Sequence, residues 1–103
     1  MTRGGEDDAA GEAIELPIDG VLDLHTFLPR DVPALVAGYL DECRARRILA
    51  VRLIHGKGTG SQRERVEAVL RRHPAVRSYR TADETAGGWG ATLVELWPPL
   101  GGP

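Results

Sequence analysis

A glycine-rich loop between an apparent strand and a helix start limits the folds that this chain can adopt. Residues 53–64 read Leu-Ile-His-Gly-Lys-Gly-Thr-Gly-Ser-Gln-Arg-Glu. Glycines let backbone amides approach an anion closely, and the first N–H groups of a helix have no partner of their own. Lys57 adds a positive charge, and His55 stands directly before the loop. The sequence therefore predicts a phosphate-binding loop with an ionisable group beside it.

Two common nucleotide-binding motifs do not fit this loop. A P-loop has the pattern G-x-x-x-x-G-K-[ST], but here Lys57 is followed by Gly58. A dinucleotide fingerprint has the pattern G-x-G-x-x-G, and Ser61 occupies the position of its third glycine. The sequence therefore argues against nucleotide binding of either type.

Length and charge allow one domain and permit a polyanionic partner. The chain has 103 residues, which is enough for a single two-layer core. Its net charge is -2, but residues 1–20 hold six acids and one base, so residues 21–103 carry 12 bases and 9 acids. This balance is compatible with nucleic-acid binding without requiring it, because dedicated binders are usually more basic.

Cysteine content and hydropathy indicate a cytoplasmic protein. Cys43 is the single cysteine, which excludes an internal disulfide and a cysteine-based zinc site. The sequence shows no basic and then apolar leader, and no apolar run approaches the roughly 20 residues that span a bilayer. We therefore expect a protein of the cytoplasm with no membrane partner.

The chain divides into a flexible acidic tail over 1–12, a folded domain over 13–97 and a flexible tail over 98–103. Within the domain, apolar residues alternate at strand spacing or recur at helical spacing. The expected elements are a strand at 21–25, a helix from Asp31 to about Arg46, a strand at 49–54, a helix from Ser61 that Pro74 stops, and strands at 75–80 and 91–96.

This order, β-α-β-α-β-β, predicts an α/β two-layer sandwich with a mixed four-stranded sheet and both helices on one face. A strand, a crossover helix and a second strand form a right-handed parallel unit. Ligands collect beyond the carboxyl ends of such strands. Because the first strand ends near His25 and its parallel neighbour ends near His55, both histidines should emerge at one edge.

Asp23, His25 and His55 are the candidate catalytic residues. Residues two apart on a strand point to one face, and strands lie about 4.8 Å apart, so all three side chains are expected to share a pocket. Alternatively, Asp23 ties a loop and each histidine satisfies a backbone group. The same set also suits a divalent cation such as Mg²⁺, with Asp23 as a ligand, so a metal cofactor stays open.

Three segments carry a resemblance to a known family. They are Leu22-Asp23-Leu24-His25, His55-Gly56-Lys57-Gly58, and Gly90-Ala91-Thr92 followed by the last strand. In this order around two amphipathic helices, they resemble the Smr domain, the small MutS-related module, over about residues 20–97. The resemblance implies a stand-alone copy of the domain, with a fold similar to the C-terminal domain of bacterial translation initiation factor three.

The resemblance also implies a nuclease or a nucleic-acid-binding protein, with its functional residues in the first two segments. Trp89 could stack on an unpaired base, or it could cover an open end of the core. The residues expected to contact phosphate or nucleic acid are Gly56, Lys57, Gly58, Thr59, Gly60, Trp89 and Thr92.

The sequence thus favours an endonuclease that hydrolyses phosphodiester bonds of DNA or RNA and works as a monomer. An imidazole can accept or donate a proton at neutral pH, and the loop would stabilise the negative charge of the transition state. The alternative is a non-catalytic module that docks on DNA, RNA or the ribosome through the same phosphate site. A hydrolase of small phosphate compounds is a third alternative.

Overall fold

The computed structural model describes residues 17–56, 61–82 and 90–99. Expectations for the tail at 1–12, for the loop residues Lys57, Gly58, Thr59 and Gly60, and for Trp89 lie outside these ranges. The elements are β1 (Val21–Asp23), α1 (Val32–Ala45), β2 (Ala50–Ile54), α2 (Ser61–Arg72), β3 (Val76–Thr81) and β4 (Ala91–Leu96).

The four strands form one mixed sheet in the order β1-β2-β4-β3. β1 pairs with β2 in parallel, as the crossover through α1 predicted. β4 pairs antiparallel with both of its neighbours, so β3 also runs parallel to β2. The β-α-β-α-β-β order and the mixed four-stranded sheet are therefore confirmed.

The helices pack on one face of this sheet and bury a single apolar core. Leu22 on β1 pairs with Leu53 on β2, and both side chains are buried together with residues of both helices. Residues at the alternate positions point to the other side, which we call the open face. This face includes the following strand residues: Val21, Asp23, Ala50, Arg52, Ile54, Leu93, Glu95, Ser78 and Arg80.

The first helix begins at Val32, directly after the predicted N-cap residue. A short 3₁₀ turn, Pro29–Asp31, runs directly into Val32. Asp31 occupies the position before the helix, as expected, but its side chain makes no capping hydrogen bond. Its backbone is already helical, with φ -90° and ψ -14°, whereas a capping side chain normally requires an extended backbone.

Tyr39 on α1 fixes the start of β1. Its hydroxyl accepts a hydrogen bond from the Gly20 amide at 3.0 Å and donates to the Val21 carbonyl at 3.1 Å. Gly20 has a φ of +95°, which a residue with a side chain rarely adopts. The tyrosine therefore connects the helix layer to the turn from which β1 leads to Asp23.

Candidate functional site

The carboxyl ends of β1 and β2 lie side by side at one edge of the sheet. Asp23 pairs with Ile54, and the Leu24 amide donates to the Ile54 carbonyl at 2.8 Å. His25 and His55 follow these paired positions directly. Both histidines therefore emerge at the same edge, as the parallel pairing predicted.

At the end of β1, Asp23 and His25 form an exposed hydrogen-bonded pair. The Nδ1 atom of His25 lies 2.5 Å from Oδ1 of Asp23, and the backbone amide of His25 donates to the same oxygen at 3.0 Å. The His25 side chain is 66% exposed and that of Asp23 is 48% exposed. These hydrogen bonds from the His25 side chain and backbone lower the pKa of Asp23 below its ordinary value.

This pairing prepares the other nitrogen of the ring for proton transfer. A carboxylate at Nδ1 favours the form with hydrogen on Nδ1, so the lone pair lies on Nε2. Within the described ranges, no hydrogen bond engages Nε2 of His25. His25 can therefore accept a proton from an incoming group, with Asp23 stabilising the cation that forms.

His55, at the end of β2, is in a contrasting environment, because its side chain is buried and both ring nitrogens are engaged. Nδ1 lies 3.1 Å from the Gly56 carbonyl, which can only accept, so Nδ1 carries the hydrogen. Nε2 lies 2.9 Å from the hydroxyl of Thr92, which is fully buried. In the neutral ring, Thr92 donates to Nε2, and no lone pair is left for a substrate.

Gly90 fixes the first residue of the predicted phosphate loop. Its carbonyl accepts hydrogen bonds from the amides of His55 and Gly56, both at 2.8 Å. Gly90 has a φ of +84°, and a Cβ atom at this position would lie 2.4 Å from the carbonyl carbon of Gly56. A glycine is therefore required where β4 begins. Gly90 was not among the predicted site residues, although a glycine directly before a strand is a signal for such a close approach.

The two histidines belong to separate hydrogen-bonded clusters, which we call the exposed pair (Asp23 and His25) and the buried cluster (His55, Gly56, Gly90 and Thr92). Leu53 and Thr92 pair on the helix-covered side, and His55 bonds to Thr92. No hydrogen bond joins the two clusters within the described chain. The expectation that the side chains of Asp23, His25 and His55 share one pocket therefore stays a prediction.

Two further expectations concern metals and membranes. Among residues 17–56, 61–82 and 90–99, no group of three or more His, Cys, Asp and Glu side chains is arranged to hold a metal ion. The exposed pair thus provides two protein ligands at most. In the same ranges, no helix is long and apolar enough to cross a membrane.

The fold and its edge clusters define a small α/β domain with an aspartate-histidine pair at the same sheet edge as His55 and Gly56, where a glycine-rich segment of the sequence begins. Residues 22–97 match the Smr domain, and the chain therefore belongs to the Smr domain family. The match confirms the resemblance carried by the three sequence segments.

Several relatives share this domain. The chain is 41% identical over 75 residues to the Endonuclease MutS2 of Bacillus mycoides, a segment that covers 73% of this chain and 10% of the relative. It is 37% identical over 95 residues to the Endonuclease MutS2 of Pelotomaculum thermopropionicum, with 90% and 12% covered. The chain thus spans about a tenth of the length of these relatives.

Two solved structures share the fold. The Smr domain of Thermus thermophilus MutS2 is 37% identical, with a TM-score of 0.70, and the match covers 76% of this chain and 98% of that one. YdaL, a stand-alone small MutS-related protein from Escherichia coli, is 25% identical, with a TM-score of 0.64, and the match covers 93% and 80% of the two chains. The chain is therefore similar to an Smr domain in both its fused and stand-alone forms.

Proposed function

We propose that this protein is an endonuclease that cleaves phosphodiester bonds of DNA or RNA, as a monomer in the cytoplasm. The observation that carries the proposal is the exposed pair, in which the carboxylate of Asp23 orients an accessible His25 imidazole. The pair lies at the same sheet edge as His55 and Gly56, where the glycine-rich loop starts, and this position also supports the proposal. So does the similarity of the domain to part of proteins named Endonuclease MutS2.

In the proposed reaction, Nε2 of His25 transfers the proton. It removes the proton from the attacking oxygen, or it gives a proton to the oxygen that leaves phosphorus. Asp23 stays ionised and stabilises the imidazolium, because the pKa of its carboxyl is lowered. Lys57 and the amides of the loop are proposed to hold the phosphate and to stabilise the charge that develops on it.

The buried cluster has a different role in this proposal. His55 and Gly90 hold the backbone of Gly56, where the chain enters the loop. We therefore assign His55 and Thr92 to the positioning of the loop, and His25 to the proton transfer. This assignment narrows the expectation from the sequence, in which either histidine could move the proton.

The source of the attacking oxygen separates RNA from DNA. Without a metal ion, the nucleophile would be the ribose 2′-hydroxyl, so the enzyme would act on RNA alone. With a metal ion such as Mg²⁺, bound by Asp23 together with substrate phosphate and water, a water molecule could attack either polymer. The dependence on added metal therefore distinguishes the two chemistries.

The test is a cleavage assay with supercoiled plasmid and, separately, with labelled structured RNA. Each substrate is incubated with magnesium or with a chelator, beside the His25→Ala variant and the Thr26→Ala variant as a neighbouring exposed control. We expect cleavage by the wild type and by Thr26→Ala, and none by His25→Ala. Cleavage that persists in His25→Ala would contradict the assignment.

A non-catalytic docking module is the second candidate, and the state of His55 favours it. Both ring nitrogens of His55 already form hydrogen bonds within the protein. In this state His55 has no nitrogen available to act as the second acid or base of a two-histidine mechanism. A docking module would show salt-sensitive binding of nucleic acid without turnover. Tight binding with no cleavage of either substrate, in magnesium or in chelator, would establish this alternative.

A further inference from the structure

The edge of the sheet opposite the exposed pair carries a tryptophan, Trp97, directly after β4. Its amide donates to the Ala75 carbonyl at 2.8 Å, and the guanidinium of Arg44 donates to the carbonyls of Trp97 and Pro98 at 3.0 and 3.1 Å. The guanidinium of Arg77 lies over the indole ring, 5.4 Å from its centroid. Trp97 is nevertheless 51% exposed. A large aromatic side chain is therefore held in contact with solvent by a fixed backbone.

The chain segments that follow the two helices meet beside Trp97. The Leu96 amide donates to the Leu49 carbonyl at 2.9 Å, which brings the turn after α1 to the end of β4. The bond between Trp97 and Ala75 does the same for the segment after α2. Together with Trp97, the arginines of these segments and of the start of β3 form a surface that we call the basic edge. These arginines are Arg44, Arg46, Arg47, Arg71, Arg72 and Arg77.

Carboxylates at this edge are fewer than the arginines. Each of the four accepts a hydrogen bond or forms an ion pair within the protein. Six arginines and four carboxylates leave the edge with two positive charges, whereas the whole chain has a net charge of -2. An anionic partner is therefore favoured at this edge. The four carboxylates are Asp19, Asp41, Glu42 and Glu95.

Three of the six arginines hold charge that the protein does not use. Arg47, Arg71 and Arg72 are exposed, and none of them forms a hydrogen bond or an ion pair within residues 17–56, 61–82 and 90–99. Arg71 and Arg72 lie in the last turn of α2, where a cation also stabilises the helix. Arg47, however, has a φ of +61°, and glycine is the residue that takes this conformation without strain. The fold therefore gains nothing from an arginine at position 47.

We propose that the basic edge binds an unpaired segment of nucleic acid, with one base on the ring of Trp97 and the adjoining phosphates on Arg47, Arg71 and Arg72. Every base has a flat face that can stack on an aromatic ring, and its phosphates complement the arginines. An acidic peptide would match the charge but would leave the indole without a partner. In a duplex, the bases are already stacked on one another.

This surface is separate from the exposed pair, and the proposal does not depend on the cleavage chemistry. β4 runs antiparallel to β2, so Trp97 lies where β2 begins and the exposed pair lies where β2 ends. The five residues of β2 separate the two edges by about 17 Å. A strand that touches both edges would span about five stacked nucleotides, at about 3.4 Å each.

The test is a binding measurement that does not require cleavage. Fluorescence anisotropy follows labelled single-stranded RNA and DNA, the matching duplexes and a labelled polyglutamate peptide on the full chain, at several salt concentrations. The variants are Trp97→Ala, Trp97→Phe and Arg47→Gly. Val21→Ala and Arg80→Gln are matched controls, since both residues are exposed and lie away from the basic edge. Thermal unfolding establishes that each variant is folded.

We expect the wild type to bind single strands at least tenfold more tightly than duplexes or the peptide. Trp97→Ala should weaken this binding by about fivefold or more, the loss of one stacked base, and Trp97→Phe should retain most of it. Arg47→Gly should lower the salt slope by about 0.7 without lowering the melting temperature, because glycine suits the backbone there. Unchanged binding in Trp97→Ala, equal losses in the controls, or a preference for duplex or peptide would overturn the inference.

Cleavage by the same variants separates this inference from the proposed function. If binding of single strands requires Trp97 but no substrate is ever cleaved, the basic edge stands and the endonuclease proposal fails. If cleavage requires His25 while Trp97→Ala binds and cleaves as the wild type does, the endonuclease proposal stands and the basic edge is wrong.

Discussion

The exposed pair and the buried cluster use the same kind of side chain under opposite conditions. The imidazole of His25 is 66% exposed and is held at one nitrogen, whereas His55 is buried and is held at both. A histidine with a free nitrogen in solvent can exchange a proton with a substrate, and one with two internal partners stabilises the structure around it. The comparison therefore assigns chemistry to the end of β1 and loop geometry to the end of β2.

Alanine substitution of each histidine in turn tests this division of roles with the largest expected effects. His25→Ala should lower the cleavage rate by about 10² to 10⁴, the usual loss for a general acid or base, and change the melting temperature much less than His55→Ala does. His55→Ala should lower the free energy of unfolding by about 2 to 4 kcal/mol, because it leaves a cavity and an unpaired Thr92 hydroxyl. Calorimetry and single-turnover rates measure the two effects, and a large loss of stability in His25→Ala would contradict the division of roles.

Substitution of Gly90 is expected to have the next largest effect on stability, and it disturbs only the buried cluster. Gly90→Ala should destabilise the fold by about 2 to 4 kcal/mol, because its φ is positive and the new Cβ would meet the Gly56 backbone. Gly38 on α1 is the control, since a Cβ there meets nothing within 4 Å. Gly38→Ala should stabilise the protein by about 1 kcal/mol, since alanine is the better helix former. Urea unfolding compares the two variants, and equal effects would refute the close approach.

Structure that depends on residues close together in the sequence was predicted, whereas contacts between residues far apart in the sequence were not. The strand Ala91–Leu96 was predicted correctly, because its alternation of buried and exposed residues is local. The burial of His55 could not be predicted, because it depends on the pairing of Leu53 with Thr92, across a separation of 39 positions. The contact between Gly56 and Gly90 was missed for the same reason.

A smaller effect is expected from the hydroxyl of Thr92. Thr92→Val keeps the shape of the side chain but removes the hydrogen bond to the buried Nε2 of His55. An unpaired buried group costs about 1 to 3 kcal/mol, so the free energy of unfolding should fall by that amount. Thr81→Val, at the paired and exposed position on β3, should change it by less than about 0.5 kcal/mol. Equal losses in the two variants would show that Thr92 does not support His55.

The smallest effect concerns pH and the exposed pair. The hydrogen bonds from His25 lower the pKa of Asp23 below its ordinary value of 3.8, so the carboxylate contributes stability above that pH. This contribution is lost only as the pH falls through the lowered pKa, and Asp23 should not titrate between pH 5 and 8. Carboxyl NMR measures its midpoint, which should return toward 3.8 in His25→Ala. An unchanged midpoint in that variant would contradict the pairing.

Chemical rescue with imidazole would show which of the two histidines transfers the proton. Imidazole added to the buffer can replace a missing histidine side chain where solvent reaches the site, so it should restore cleavage to His25→Ala and not to His55→Ala. We expect the cleavage rate of His25→Ala to rise with imidazole concentration, while the rate of His55→Ala stays flat. Rescue of His55→Ala with none of His25→Ala would refute the assignment of proton transfer to His25, because it would place that transfer in the buried cluster.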